Sequence, residues 1–200
     1  MGKDIWKPGT VLYPVPVVMV SCGTETTGNI FTAAWTGTIN SDPAMTYVSI
    51  RKERHSYDII KNTGEFVINL VTEPLTFACD YCGVKSGRDL DKFKEMKLTP
   101  KKGEKVEAPI IYESPVNIEC RVKDVIPLGT HDMFLAEVVS VSVSDEYLDE
   151  TGKFHFNDSK PICYSHGGYF GLGKQIGTFG YSVKKPQTEK KQRKPRKSKK

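Results

Sequence analysis

The sequence has no apolar run near the roughly 18–20 residues that a membrane-spanning helix needs, and residues 1–9, MGKDIWKPG, lack the apolar core of a secretory leader. The predicted compartment is therefore the cytoplasm. Gly2 starts no myristoylation signal, because Trp6 stands where Ser or Thr is required. Cysteine is scarce: five residues, odd in number and scattered over 200 positions, suit free thiols in a reducing compartment better than a disulfide framework. Histidine is scarcer, at four, and no two lie at metal-ligand spacing, so no metal site is expected. Apolar residues make up 38%, enough for one ordinary domain to bury a core without disulfides.

The body of the chain is also short of positive charge. The formal net charge is +5, yet residues 184–200 hold ten Lys or Arg against the single Glu189, which leaves 19 bases and 23 acids in residues 1–183. The body carries −4 and the tail +9. An acidic body excludes a fold that presents a basic footprint, so no specific nucleic-acid partner is expected. The tail has two prolines and no apolar residue, cannot offset its ordering entropy by burial, and is read as a disordered appendage to a domain spanning 1–183. It is either a solubilising extension or a salt-sensitive attachment to RNA, anionic lipid or an acidic protein.

What is present is a series of short strand patterns with few helices. The apolar run Val11 to Val20, broken by Pro14 and Pro16, reads as an edge or irregular strand. Ile30 to Ile39 and Met45 to Arg51 flank the turn signal Asn40-Ser41-Asp42-Pro43 and form a hairpin-like pair. A short helix is predicted from Ser56, acting as its cap, to Thr63, with Gly64 ending it. Glu65 to Val71 is a strand, and Leu75 to Cys82 a second helix. After a Lys-rich linker, Lys97 to Lys105, period-two alternation through Ile118–Leu128 and Met133–Val143 marks two long half-buried strands. A glycine- and aromatic-rich stretch, Pro161 to Tyr181, closes the body. Without βαβ repetition, the fold class is mainly β, an antiparallel barrel with peripheral helices.

Two segments carry chemistry. In SIRKERHS, residues 49–56, a strand ends in Arg51 and Lys52 and runs within four residues into a helix start. Helix N-terminal N–H groups, with Arg51, Lys52, Arg54 and Ser56, supply the donors a phosphate needs; the competing reading is a solvated basic turn. In NIFTAAWTGT, residues 29–38, small residues beside two aromatics let a flat ligand or another backbone approach closely; tight packing explains the pattern equally well.

Together, NIFTAAWTG, SDPAM, YVSIRKERHSYDIIKNTGEFVINL, ACDYCGVKSGRDLDKF and GKQIGTFGYS resemble, in this order, the flavin reductase-like family of FMN-binding split barrels, in particular its flavoredoxin-type branch. The resemblance implies a homodimeric six-stranded Greek-key split barrel that binds FMN. It places the flavin ring against Asn29, Thr32, Ala33, Ala34 and Trp35, and the phosphate at Ser49, Arg51, Lys52 and Ser56 with His55 nearby, and it counts Ile50 among the cofactor-binding residues. Tyr164, His166, Lys174 and Phe179 become candidates from a terminal segment that closes over the flavin. The implied chemistry is hydride transfer from NADH or NADPH to the flavin, which needs positioning rather than an acid–base triad, so no catalytic side chain is assigned. The alternative is an electron carrier that exchanges electrons with protein partners such as ferredoxin.

Other signals are weaker. Gly168-x-x-x-x-Gly173-Lys174 misses the phosphate-binding loop pattern because Gln175 replaces the Ser or Thr, and Gly171-x-Gly173 with Gly177 misses the dinucleotide fingerprint by one position. Cys79-Asp80-Tyr81-Cys82 has redox or zinc spacing but no second ligand pair and no thioredoxin-like surroundings; structural thiols are the main reading, a dithiol exchanging electrons with the flavin or with a partner the other. His131, His155 and His166 read as surface or packing residues.

Overall fold

The computed structural model describes residues 1–184. Along them run β1 (Val15–Pro16), β2 (Val18–Cys22), β3 (Asn29–Ala33), β4 (Thr36–Ser41), β5 (Ala44–Arg51), α1 (His55–Thr63), β6 (Glu65–Leu70), α2 (Thr76–Val84), α3 (Lys92–Glu95), β7 (Pro100–Lys101), β8 (Ile110–Ile111), β9 (Val116–Pro127), β10 (His131–Val143), β11 (Ile162–Ser165) and β12 (Gly168–Gly171). The main sheet has the order β3-β2-β6-β9-β10-β5-β4 with every neighbour antiparallel. The reading of a basic tail falls mainly on residues 185–200, outside the described residues.

The two edge strands of this sheet, β3 and β4, are consecutive in the chain and separated only by Ala34 and Trp35. One run of backbone therefore pairs with β2 through its first half and with β5 through its second. The Ser49 N–H donates to the Trp35 carbonyl at 2.9 Å across the joint. Counted as one bent strand, this run closes the sheet into a barrel and leaves neither end as a free edge. The strand expected from Ile30 to Ile39 is thus two strands joined at a bend, of which the second makes the expected hairpin with β5. β2, the bent run and β5 form a meander, and β6 returns beside β2, which is Greek-key order. The return passes through α1, whose Tyr57 and Ile60 are buried in the barrel core with Val18, Phe31, Val48, Phe66 and Phe134.

β2 sits mid-sheet between β3 and β6 with all five residues buried. That corrects the edge-strand reading for this part of Val11–Val20, and only Val15–Pro16, paired with β11, occupies an edge. The reason is burial on both faces. Val18, Val20 and Cys22 point into the barrel, while Met19 packs outside with Val17, Ile30, Leu75, Ala78, Cys79, Cys82 and Phe93 beneath α2 and α3. The second helix begins at Thr76, after a 3₁₀ turn over Glu73–Leu75, rather than at Leu75. Among the described residues no helix is long and apolar enough to cross a membrane.

The segment read as a Lys-rich linker is pinned rather than loose. Glu119 on β9 is 1% exposed, and its carboxylate accepts from the backbone N–H groups of Glu104 (3.0 Å), Lys105 (2.6 Å) and Val106 (3.1 Å). Three backbone donors, that of Val106 buried and those of Glu104 and Lys105 partly so, lose their acceptor if Glu119 is truncated. We expect Glu119→Ala to lower unfolding stability by about 3 kcal/mol and the melting temperature by roughly 6–12 °C. Amide exchange at residues 104–106 should accelerate most; unchanged protection there would show that the carboxylate does not hold the loop.

Candidate functional site

Where the barrel closes, two clefts adjoin. The first, of about 390 Å³, opens over the N-terminus of α1 and is lined by Asn29, Arg51, Arg54, His55, Ser56, Ser86, Gly87, Arg88 and Lys92 among others. β5 ends at Arg51, and the turn is closed by the Arg54 N–H donating to the Arg51 carbonyl at 3.0 Å, so α1 starts with its unpaired N–H groups facing the cleft. Arg54 and not Ser56 occupies the helix N-cap, which corrects the predicted cap. Ser56 lies inside the first turn, where its buried hydroxyl accepts from Asn29 Nδ2 at 2.7 Å and ties α1 to β3. Gly64 does end the helix, at φ 69° with its N–H donating to Ile60.

The opposite wall is the loop after α2, strapped by Arg54 Nη1 donating to the Gly83 carbonyl (2.8 Å) and Arg88 Nη1 donating to the Glu53 carbonyl (2.9 Å). A Cβ at Gly87 would overlap the Asn29 side-chain amide, so only glycine lets this wall approach β3. The floor is Lys92, 3% exposed. Its Nζ donates to the Ile30 (2.7 Å) and Cys82 (2.8 Å) carbonyls, leaving one of three donors over. Burial pushes its ammonium pKa down, with the Arg54 charge adding to the effect. The ammonium is held only by neutral carbonyls, and of the three guanidinium groups in this cleft Arg51 pairs with the lining carboxylate of Glu53 at 3.3 Å, so the cleft keeps an excess of positive charge that suits an anion.

The second cleft, about 210 Å³, is lined by Phe31, Thr32, Ala33, Ala34, Trp35, Ser49, Ile50 and His131, and shares Arg51 and Arg54 with the first. It lies directly at the bend between β3 and β4. The Thr32 hydroxyl donates to the Cys79 carbonyl, fixing the bend to α2. His131 stands opposite Arg51 in the β10–β5 register, and burial, then the Arg51 charge, hold its imidazole pKa below the usual value.

The structure thus brings Asn29, Thr32, Ala33, Ala34, Trp35, Ser49, Ile50, Arg51, His55 and Ser56 together along two joined clefts. Tyr164 lines a third cavity, which shares Thr32, Ala34 and Trp35. Lys52 is not brought there. It lies in the turn that follows β5, and its Nζ pairs instead with Asp132 Oδ1 at 3.4 Å. Lys174 and Phe179 lie on the exposed stretch beyond β12 and line neither cleft, and His166 packs on the Tyr13 ring at 4.4 Å between centroids. Arg88, Lys92 and His131 were missed as site residues. The only signal for the first two was their place in ACDYCGVKSGRDLDKF. Cys79 and Cys82 are buried, with thiol pKa values pushed up by burial to about 12 and about 11, which keeps them protonated and gives the dithiol reading no support.

Fold and clefts define a class: a closed antiparallel barrel that presents a cationic, helix-headed pocket beside a pocket walled by small residues. The chain belongs to the flavin reductase like domain family, whose model matches residues 10–173. Its fold is that of the split barrels: flavoredoxin of Desulfovibrio vulgaris (Miyazaki F) superposes with a TM-score of 0.84 at 30% identity, covering 92% of this chain and 100% of that one. Flavoredoxin from Methanosarcina acetivorans gives 0.82 at 26% identity over the same shares. An uncharacterised protein of Archaeoglobus fulgidus is 32% identical over 138 residues, 69% of this chain and 77% of its own length.

The supports of the site lead to two expected outcomes. Asp132, 5% exposed, accepts from the Tyr57 hydroxyl at 2.5 Å and pairs with Lys52, so it braces both α1 and the turn before it. The Tyr57 hydrogen bond, then the Lys52 charge, hold its carboxyl below the usual range. A depressed carboxylate stabilises the fold above its unfolded pKa and loses that contribution as pH falls through the folded one. The gap in melting temperature between the wild type and Asp132→Asn should therefore be constant from about pH 5 to 8 and close below about pH 4; a gap that widens on acidification contradicts this. Of the five cysteines, Cys163 alone is not buried, so a thiol reagent on the native protein should label that residue fast and the other four only on unfolding.

Proposed function

We propose that the chain is an FMN-binding oxidoreductase that draws a hydride from NADH or NADPH and passes electrons to free flavin or another acceptor. The observation that carries this reading is the continuity of the two clefts. An anion site built from Arg51, Arg54, Arg88, Ser56 and Lys92 runs without a break into a pocket where Thr32, Ala33, Ala34 and Trp35 admit a flat ring. A planar ring on a phosphorylated chain fits both parts, and both flavoredoxins and FMN-binding proteins are among the solved neighbours. FMN would supply the hydride-accepting chemistry. The chain's own work is to bind and orient. Lys92 and the arginines hold the phosphate, Asn29 and Ser56 fix the helix against β3, and the closed joint at Ala34–Trp35 sets the ring's depth. No side chain is required to move a proton, and none is assigned that role.

A second reading rests on the flavoredoxin likeness: an electron carrier that exchanges electrons with protein partners. For assembly we propose a homodimer. Ile5, Trp6, Val11 and Leu12 at one terminus, and Leu172, Ile176, Phe179 and Tyr181 at the other, expose apolar surface that a second copy would cover. Free, buried thiols support a cytoplasmic setting.

The test is the visible spectrum of purified protein supplied with FMN, followed anaerobically on adding NADH and then NADPH. Bound flavin that bleaches quickly supports the reductase. Bound flavin that stays oxidised until a protein donor is added supports the carrier, and absence of binding removes both. Arg51→Ala should weaken FMN by about 1.5–3 kcal/mol, roughly one to two decades, and leave riboflavin, which lacks the phosphate, unchanged. Equal losses for both ligands would mean that Arg51 does not serve the phosphate.

A further inference from the structure

The first cleft contains an anion built into the chain. Five Lys or Arg side chains line it, Arg51, Arg54, Lys85, Arg88 and Lys92, and among the described residues one carboxylate does, that of Glu53. The cations are not in equal states. Arg54 and Arg88 each spend a donor on a neutral backbone carbonyl and Lys92 spends two, so their charge stays uncompensated. Among the described residues, Arg51 alone of the five pairs with a carboxylate: its Nη1 donates to Glu53 Oε1 at 3.3 Å.

The backbone of Glu53 is fixed and its side chain is not. Its carbonyl accepts from Arg88 Nη1 at 2.9 Å, and the turn around it is closed by the Arg54 N–H on the Arg51 carbonyl. The side chain is 66% exposed, and Arg51 is the other residue that bonds it among those described. Its own backbone N–H, and after it the Arg51 guanidinium, hold the carboxyl below the usual range, so it is ionised at neutral pH. The result is a tethered carboxylate, free to swing, resting on a guanidinium that lines both clefts.

We infer that Glu53 is an intramolecular competitor for the anion site: its carboxylate takes the Arg51 guanidinium in the absence of a phosphate, gives it up to one that binds, and so weakens the hold on that phosphate and speeds its release. A guanidinium offers the same planar fork to carboxylates and phosphates, so the two anions cannot both take it in one geometry. A phosphate dianion beside an unmoved carboxylate meets like charge instead. Either way the phosphate binds at a cost. An exposed pair is weak, which keeps the competition mild, about two- to fivefold in affinity rather than decades. A flavin held by its phosphate is thereby kept exchangeable, as a reductase that hands on its flavin requires. The inference rests on the proposed function for the identity of the molecule that bears the phosphate; the competition itself needs only an anion.

Glu53→Gln removes the charge, keeps the size and leaves the backbone bond to Arg88 in place, so the full chain with this one change makes the test. Flavin fluorescence at about 20 mM salt should show FMN bound about two- to fivefold tighter, chiefly through slower release on dilution, and riboflavin unchanged. At about 0.5 M salt the gain should shrink to nearly nothing. In Arg51→Ala, which leaves no guanidinium to compete for, the same substitution should gain less than about 1.5-fold. FMN affinity unchanged or lowered by Glu53→Gln, an equal gain for riboflavin, or the full gain in Arg51→Ala would overturn the inference. Inorganic phosphate, titrated by calorimetry into the wild type and Glu53→Gln, separates it from the flavin reading. Phosphate held more tightly by Glu53→Gln, with FMN bound by neither protein, would sink the flavin reading alone. FMN bound equally well by both would sink this inference alone.

Discussion

The joint at Ala34–Trp35 is the constraint on which the rest of the structure depends. A seven-strand sheet whose two edges belong to one run of chain must either stay open or bend that run, and bending it converts two unpaired edges into a closed barrel. Closure places small residues at the corner, because the backbones of β3, β5 and α2 converge there and the Thr32 hydroxyl must reach the Cys79 carbonyl. All three cavities touch this corner or its immediate neighbours, through Phe31 and Arg51 in the first and Ala34 and Trp35 in the others. The site is thus a consequence of how the barrel shuts, and its position does not depend on any one loop.

The Greek-key return adds the second condition. Crossing from β5 to β6 needs a connection over the barrel end, and a helix is a compact way to satisfy its backbone groups while plugging the core with Tyr57 and Ile60. Its N-terminus then has to point somewhere, and Asn29, bonded to Ser56, aims it at the cleft. Lys92 acts from the other side. A buried ammonium is costly when no anion is near, even though it satisfies the carbonyls of Ile30 and Cys82. Its cost is a reason to read the cleft as built around a negatively charged ligand.

How much of this was legible in the sequence depended on whether the signal was local. The β9–β10 pair and the turn at Asp42–Pro43 follow from alternation and turn chemistry, both carried within a few residues. The bend was hidden because the apolar and small residues of 30–39 continue through it, and the change of partner from β2 to β5 is a tertiary event. Ser56 was misread because a serine at a helix start has two uses, capping its own helix or bonding another element, and only the fold shows Asn29 beside it. Lys52 looked equivalent to Arg51, but the strand ends at Arg51 and the turn that follows carries Lys52 to Asp132. Lys92, in the charged stretch Asp91-Lys92-Phe93-Lys94-Glu95, has the surroundings of a solvated residue, and its burial comes from α2 and α3 closing over β3.

Charge distribution separates the tasks of the three cavities. The body is acidic in sum, so the pull of Arg51, Arg54, Arg88 and Lys92 on an anion is confined to the cleft, within about a Debye length of roughly 8–10 Å. The third cavity, across Trp35, has Asp80 as its one charged lining group and so carries the opposite sign on walls that are otherwise neutral. A ligand with a phosphate at one end and a neutral ring at the other is therefore oriented before any close contact forms, because only one end is tolerated at each site. A closed barrel holds the separation of its walls fixed, so a ligand seated across Arg51 and the Ala34–Trp35 corner would be positioned by the frame itself.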